Sequence, residues 1–173
     1  MNILWNLNLG GIVRHTRKGC LRNMVTNVAI IGYGIVGKAT HEVLLDHINV
    51  MIHDPEKGHK CDYKSADVVF ICTPYEHVGN YINDLKSHKR TYIRSTIPLD
   101  WVVDSDIAVW PEFLTERTWQ TDANNPLCLV CGGSYYQLDT LKQITKFKDD
   151  WYLTDNRTAA LMKNSTNVFY TMK

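Results

Sequence analysis

Lys163 and Asn167 lie four residues apart, and three glycines recur at Gly32, Gly34 and Gly37. Each spacing can do chemistry. Residues four apart on a helix share a face. An ammonium and an amide there can together hold an alcohol oxygen, or the water or oxyanion that replaces it during oxidation. The pair alone is also common on solvated helix faces. The glycines sit in Asn27-Val-Ala-Ile-Ile-Gly-Tyr-Gly-Ile-Val-Gly-Lys38, where an apolar run stops and a helical pattern starts. A strand ending in a tight turn at Gly32 would bring a diphosphate onto the backbone at Gly34. Gly37 would let the helix pack closely on the strand, and the helix N-terminus would point unpaired N–H groups at the anion. Asp54 ends the next apolar run, seventeen residues after Gly37, where an acid can hold the ribose hydroxyls of an adenine dinucleotide.

The elements that must position these groups follow from the hydrophobic pattern. Val28–Ile31, Val50–His53, Ala66–Cys72, Thr91–Arg94, Ile107–Trp110, Leu127–Val130 and Trp151–Leu153 read as strands. Helical spacing falls at 78–85 and 136–147, and from an N-cap at Asp155 to the end of the chain. Strands alternating with helices predict an α/β fold: a Rossmann-like, doubly wound, mostly parallel sheet, followed by the start of a long helix. Residues 24–153 form the expected dinucleotide-binding domain, with 154–173 as that helix. Thr73, Thr96 and Glu112 each follow the carboxyl end of a strand, the edge along which such sheets bind ligands. Each alone can also be ordinary turn chemistry.

Composition narrows the classes. A net charge of +1 on 173 residues gives no reason to expect nucleic acid or an anionic membrane as partner. No apolar run reaches the ~20 residues that span a bilayer. The five cysteines are scattered, which suits reduced thiols in a cytoplasm. Cys128 and Cys131 form C-x-x-C inside an apolar stretch with no second ligand pair, so they read as strand residues and no metal is expected. Residues 1–23 carry Arg14, Arg17, Lys18 and Arg22 and no acid. They read as a poorly ordered extension, with a basic arm holding a partner of its own as the alternative.

Taken together, the motifs resemble the amino-terminal domain of the UDP-glucose/GDP-mannose dehydrogenase family over residues 25–173. They are Gly-Tyr-Gly-Ile-Val-Gly37, Asp54, Phe70-Ile-Cys-Thr-Pro74, Ser95-Thr-Ile-Pro98, Pro111-Glu-Phe-Leu-Thr-Glu116, Asn125-Pro126 and Lys163-x-x-x-Asn167. The resemblance implies NAD-dependent oxidation of the C6 alcohol of a UDP- or GDP-sugar to a carboxylate. It implies NAD contacts at Gly32, Gly34, Ile35, Val36, Gly37, Asp54, Thr73, Pro74, Thr96 and Glu116. Thr96 and Glu116 would help position the water used in turnover, Glu112 would act near the substrate, and Lys163 with Asn167 would steady the reacting oxygen. The acid at Asp54 favours NAD over NADP, and Lys57 and Lys60 weaken that preference. A homodimer through the long helix is also implied.

Departures accompany the matches. The family's nucleophilic cysteine lies in a Gly-Gly-x-Cys motif beyond the point where this sequence stops, and Gly132-Gly-Ser-Tyr135 is no substitute. Ala160 replaces a frequent acid, and the segment between Asp54 and Ala66 is short, which changes the adenine end. The expectation is the NAD-binding portion of a nucleotide-sugar 6-dehydrogenase without its catalytic-cysteine domain. A non-catalytic NAD-binding module and a β-hydroxyacid-dehydrogenase relative remain as alternatives.

Overall fold

The structure, a computed structural model, describes residues 25–88, 90–99 and 106–172. The expected extension at residues 1–23 lies outside them.

Two strands, β1 (Asn27–Ile31) and β3 (Val68–Ile71), form the middle of the fold. Val28 to Ile31 and Val68 to Ile71 are fully buried on both faces, as continuous apolar runs in a parallel sheet require. Around them lie β2 (Asn49–His53), β4 (Thr91–Ile93), β5 (Ile107–Val109), β6 (Leu129–Gly132) and β7 (Trp151–Thr154), in the order β2-β1-β3-β4-β5-β6-β7. Alternating side chains divide the core into two layers. Val28, Ile30 and Phe70 face α1 (Ile35–Glu42), α3 (Trp119–Asn124) and α4 (Tyr135–Ile144). Ala29, Ile31 and Val69 face α2 (Tyr75–Asp84) and α5 (Asn156–Thr171). The sheet is therefore doubly wound, as expected.

Three features of these elements have physical causes. First, the sheet is mostly parallel, as expected, and its antiparallel pair among the described residues is β5 with β6, meeting at Val109 and Gly132, while β7 follows β6 in parallel. The 110–128 connection holds only the six-residue α3, so the chain re-enters the sheet from the edge it left. Second, Leu127 and Cys128 precede β6, and Leu127 is exposed; only Cys131 of the C-x-x-C is a buried strand residue. Third, α4 stops at Ile144 because Thr145 adopts extended backbone and bridges to Leu44. The start of α4 matches a capping box, with Ser134 and Gln137 bonded reciprocally.

Between β2 and β3 the chain makes only two short 3₁₀ turns, Pro55–Lys57 and Tyr63–Ser65. The outer strand that flanks β2 in the 3-2-1-4-5-6 order is absent among the described residues, and the first five strands follow 2-1-3-4-5.

Candidate functional site

The glycine loop joins β1 to α1 at the point where strand order reverses, between β1 and β3. Gly32 has φ +86°, and a Cβ there would meet the Cys72 carbonyl and the Thr73 nitrogen at 2.9 Å. A Cβ on Gly37 would collide with the Gly32 carbonyl oxygen. Gly34, by contrast, has nothing within 4 Å of its Cβ position. It is the N-cap of α1 and offers no side chain to the first helical N–H groups. Those of Ile35, Val36 and Gly37 belong to the first turn and have no intrahelical partner. Val36 is half-buried against the core, and its carbonyl accepts from Thr40 Oγ1 at 2.7 Å.

Asp54 is tied to this loop. Its Oδ2 accepts from the Tyr33 N–H at 2.8 Å and from Lys57 Nζ at 3.0 Å. Burial pushes its carboxyl up, but the Tyr33 N–H and the Lys57 ammonium outweigh that and hold the pKa below the usual aspartate value. Thr73 and Pro74 follow β3, with Pro74 capping α2. Thr73 Oγ1 is buried with no hydrogen-bond partner. An orphaned hydroxyl costs free energy unless a ligand or water satisfies it. Gly32, Gly34, Asp54, Thr73 and Pro74 line one cleft of about 590 Å³, within the range of small-molecule sites. His53, Tyr63 and Tyr81 line it too, with His53 and Tyr63 ring centroids 4.7 Å apart, edge on. The Tyr63 hydroxyl donates to Asp84 at 2.7 Å, and burial with that carboxylate raises its pKa to about 12. The aromatic group comes from the short 54–66 segment, β2 and α2. An open glycine cradle, an available acid and an orphaned hydroxyl on one cleft fit an adenine dinucleotide.

The second cluster sits at the carboxyl ends of β4 and β5. Lys163 Nζ lies 2.8 Å from Glu112 Oε1, with both side chains nearly buried (7% and 11% exposed). Glu112 Oε2 accepts from the Leu114 N–H at 2.7 Å. Asn167 Nδ2 reaches Thr96 Oγ1 at 3.4 Å, and Asn164 donates to the Ile97 carbonyl at 3.0 Å. Ser95 Oγ donates to the Thr73 carbonyl and so joins the two clusters. Helix α5 delivers its residues because β7 ends at the opposite edge of the sheet, so α5 runs back towards the site. Its first residue, Asn156, donates to the Ile107 carbonyl at 2.7 Å and accepts from the Val109 N–H at 2.9 Å. The amide thus stands in for a strand partner where β5 and β6 part. Gly132 permits the approach: a Cβ there would lie 2.8 Å from Ala159 Cβ.

Glu116 is not brought to this cluster. It is exposed, with no polar contact among the described residues. Arg94 is a residue that sequence reasoning passed over. Its guanidinium is buried, stacks on Trp110 at 3.7 Å and donates to Thr40 Oγ1 at 3.2 Å. Burial lowers its pKa, while Cys72 and Glu112 oppose the shift. No signal marked it, since a charge at a strand end reads as exposed. Burial pushes the Cys72 thiol up to about 11 and Cys131 to about 12, and it raises Cys61 and Cys128 as well. Among the described residues, no group of three or more His, Cys, Asp or Glu could hold a metal ion, and no helix is long and apolar enough to cross a membrane.

No family model matches the sequence, and no curated protein does. Solved structures do match its fold. A UDP-glucose dehydrogenase from the hyperthermophilic archaeon Pyrobaculum islandicum aligns with TM-score 0.65 at 18% identity, over 86% of this chain and 50% of that one. GDP-mannose dehydrogenase from Pseudomonas aeruginosa, solved as a ternary complex, aligns with TM-score 0.61 at 18% identity, over 84% and 50%. The chain spans about half the length of the solved structures it matches. At this identity the likeness establishes the Rossmann-like fold, and the two neighbours are enzymes of the kind that the motifs resemble.

Proposed function

We propose that the chain is the NAD-binding portion of a nucleotide-sugar 6-dehydrogenase, an oxidoreductase acting on the CH–OH group of a UDP- or GDP-sugar. One observation carries the reading: α5 brings Lys163 to Glu112 and Asn167 to Thr96, at the sheet edge that also holds the glycine cradle. A fold that only bound a dinucleotide has no use for that second cluster.

NAD⁺, when bound, accepts the hydride that alcohol oxidation releases. Gly34 and the α1 N–H groups would hold its diphosphate, Asp54 the adenine ribose, and Thr73 with Pro74 the middle of the molecule. Lys163 and Asn167 would donate to the sugar oxygen that loses its proton, and Glu112 would keep Lys163 in place. Thr96 would orient Asn167 or a water beside it.

Carboxylate formation needs a thiolate to trap the aldehyde. The four described cysteines all have raised pKa values, so none is suited to that role. The nucleophile and most sugar contacts would come from residues outside the described ones. A cytoplasmic setting and a homodimer through α5, whose Leu161 and Met162 are exposed, belong to the same proposal. The raised thiols equally suit a non-catalytic NAD-binding module, which the Lys163–Glu112 pair disfavours.

The test is incubation with NAD⁺ and UDP-glucose or GDP-mannose, following dinucleotide binding by protein fluorescence and uronate by mass spectrometry. The reading expects saturable binding and no uronate from this chain by itself. Absence of binding, or robust uronate formation, would overturn it.

A further inference from the structure

The acid expected to select NAD is not a free negative charge. Residues 54–59 close a tight turn: the Asp54 N–H donates to the His59 carbonyl at 2.9 Å, and the His59 N–H returns to the Asp54 carbonyl at 3.0 Å. Gly58 takes φ +79° to complete it. The turn places Lys57 three residues on from Asp54, with its Nζ on Oδ2. The same oxygen takes the Tyr33 N–H. Among the hydrogen bonds of the described residues, none uses Oδ1, which leaves it available to a ribose hydroxyl.

We propose that Lys57 is a specificity-determining residue: it neutralises Asp54 beside the adenine ribose and lets the cleft accept a 2′-phosphorylated dinucleotide as well as the plain one. The inference rests on the dinucleotide reading above and deepens it. An unpaired carboxylate disfavours a 2′-phosphate by like-charge repulsion. Here the Asp54–Lys57 pair sums to zero. The Tyr33 N–H holds the carboxylate whether or not Lys57 stays on it. Lys57 lines the cleft, and its side chain is 53% exposed, so it has the freedom to swing its ammonium onto a phosphate. With the plain dinucleotide it has no reason to leave Oδ2. Of the other acids on the cleft, Asp84 is already held by Lys64 at 2.9 Å and by Tyr63. Glu56 is exposed on the same turn and keeps a residual preference for the ligand without the phosphate.

The experiment measures NADH and NADPH affinity by calorimetry for the wild-type chain, Lys57→Met and Lys60→Met, with melting curves to confirm folding. Wild type should bind NADPH within about tenfold of NADH. In Lys57→Met that ratio should widen about five- to tenfold further through loss of NADPH affinity, the scale of one charge-assisted contact at a half-exposed site. NADH affinity should barely move. Lys60→Met, which changes an exposed lysine outside the cleft lining, should leave the ratio unchanged. The wild-type NADPH affinity should fall more steeply with salt than the NADH affinity. An unchanged ratio in Lys57→Met, or an equal effect of Lys60→Met, would overturn the inference and leave dinucleotide binding standing. No binding of either nucleotide would overturn both.

Discussion

Lys163 on the last helix and Glu112 beyond β5 meet as a nearly buried ion pair at 2.8 Å, across 51 positions of sequence. Taking two charges out of water is costly, so the pair adds little net stability while either half alone is a large penalty. Lys163→Met or Glu112→Gln should each destabilise the chain by about 3–5 kcal/mol. The double variant should cost far less than the sum of the two, because losing the pair as a whole removes little net stability. Urea denaturation of the four proteins checks this, and additive losses would show that the two side chains do not act as a pair.

The glycines separate folding from binding. Gly32→Ala forces an L side chain into φ +86° and against the Cys72–Thr73 backbone. It should cost at least about 1–3 kcal/mol of stability. Gly34→Ala meets nothing within 4 Å. It should stay within about 1 kcal/mol of wild type and yet weaken dinucleotide binding, because the methyl group fills the diphosphate's approach. Parallel melting and binding curves give the comparison. Equal stability losses in the two variants would contradict the geometry.

Asn156 holds α5 to the sheet by completing the Ile107 and Val109 backbone bonds. Replacing it with Ala leaves both groups unsatisfied, at about 1–3 kcal/mol each. Amide hydrogen exchange at Val109 should accelerate in Asn156→Ala. Exchange at the wild-type rate would show that another partner takes over.

Acid should unfold the chain through its carboxylates. Burial raises Asp67, but the backbone N–H groups of Asn27 and Thr26, the Thr26 hydroxyl and Arg90 pull it below the usual value, and Asp54 is likewise lowered. The folded state therefore binds these protons less readily than the unfolded chain. The stability from this difference is fully present above the unfolded value of 3.8 and is lost as pH falls through the lower folded values. Urea stability should decline between about pH 5 and pH 2, and Asp67→Asn should flatten that decline. Identical slopes would contradict it.

Much of the cleft beside the glycine loop was legible in the sequence because backbone geometry dictates residue type there. Only glycine fits at 32 and 37, and an acid at the end of β2 has a fixed place relative to them. The buried runs at β1 and β3 also announce themselves. Strand direction does not: a buried strand reads the same both ways, so the reversal at β6 was invisible, as was the use of Asn156 in place of a strand. The ion pair of Lys57 depends on a turn closed between Asp54 and His59. The burial of Arg94 depends on Trp110 and Thr40, which are distant in sequence. Glu116 was expected at the site from its motif, but the exposed loop keeps it apart from Glu112.

The central claim is that the Gly32–Gly37 loop and Asp54 hold an adenine dinucleotide. Calorimetric titration of wild type and Asp54→Ala with NAD⁺ tests it most directly. The account predicts saturable binding by wild type and a loss of about tenfold or more in Asp54→Ala, the scale of hydrogen bonds to a charged group. No heat of binding at millimolar NAD⁺, or equal affinities for the two proteins, would contradict it.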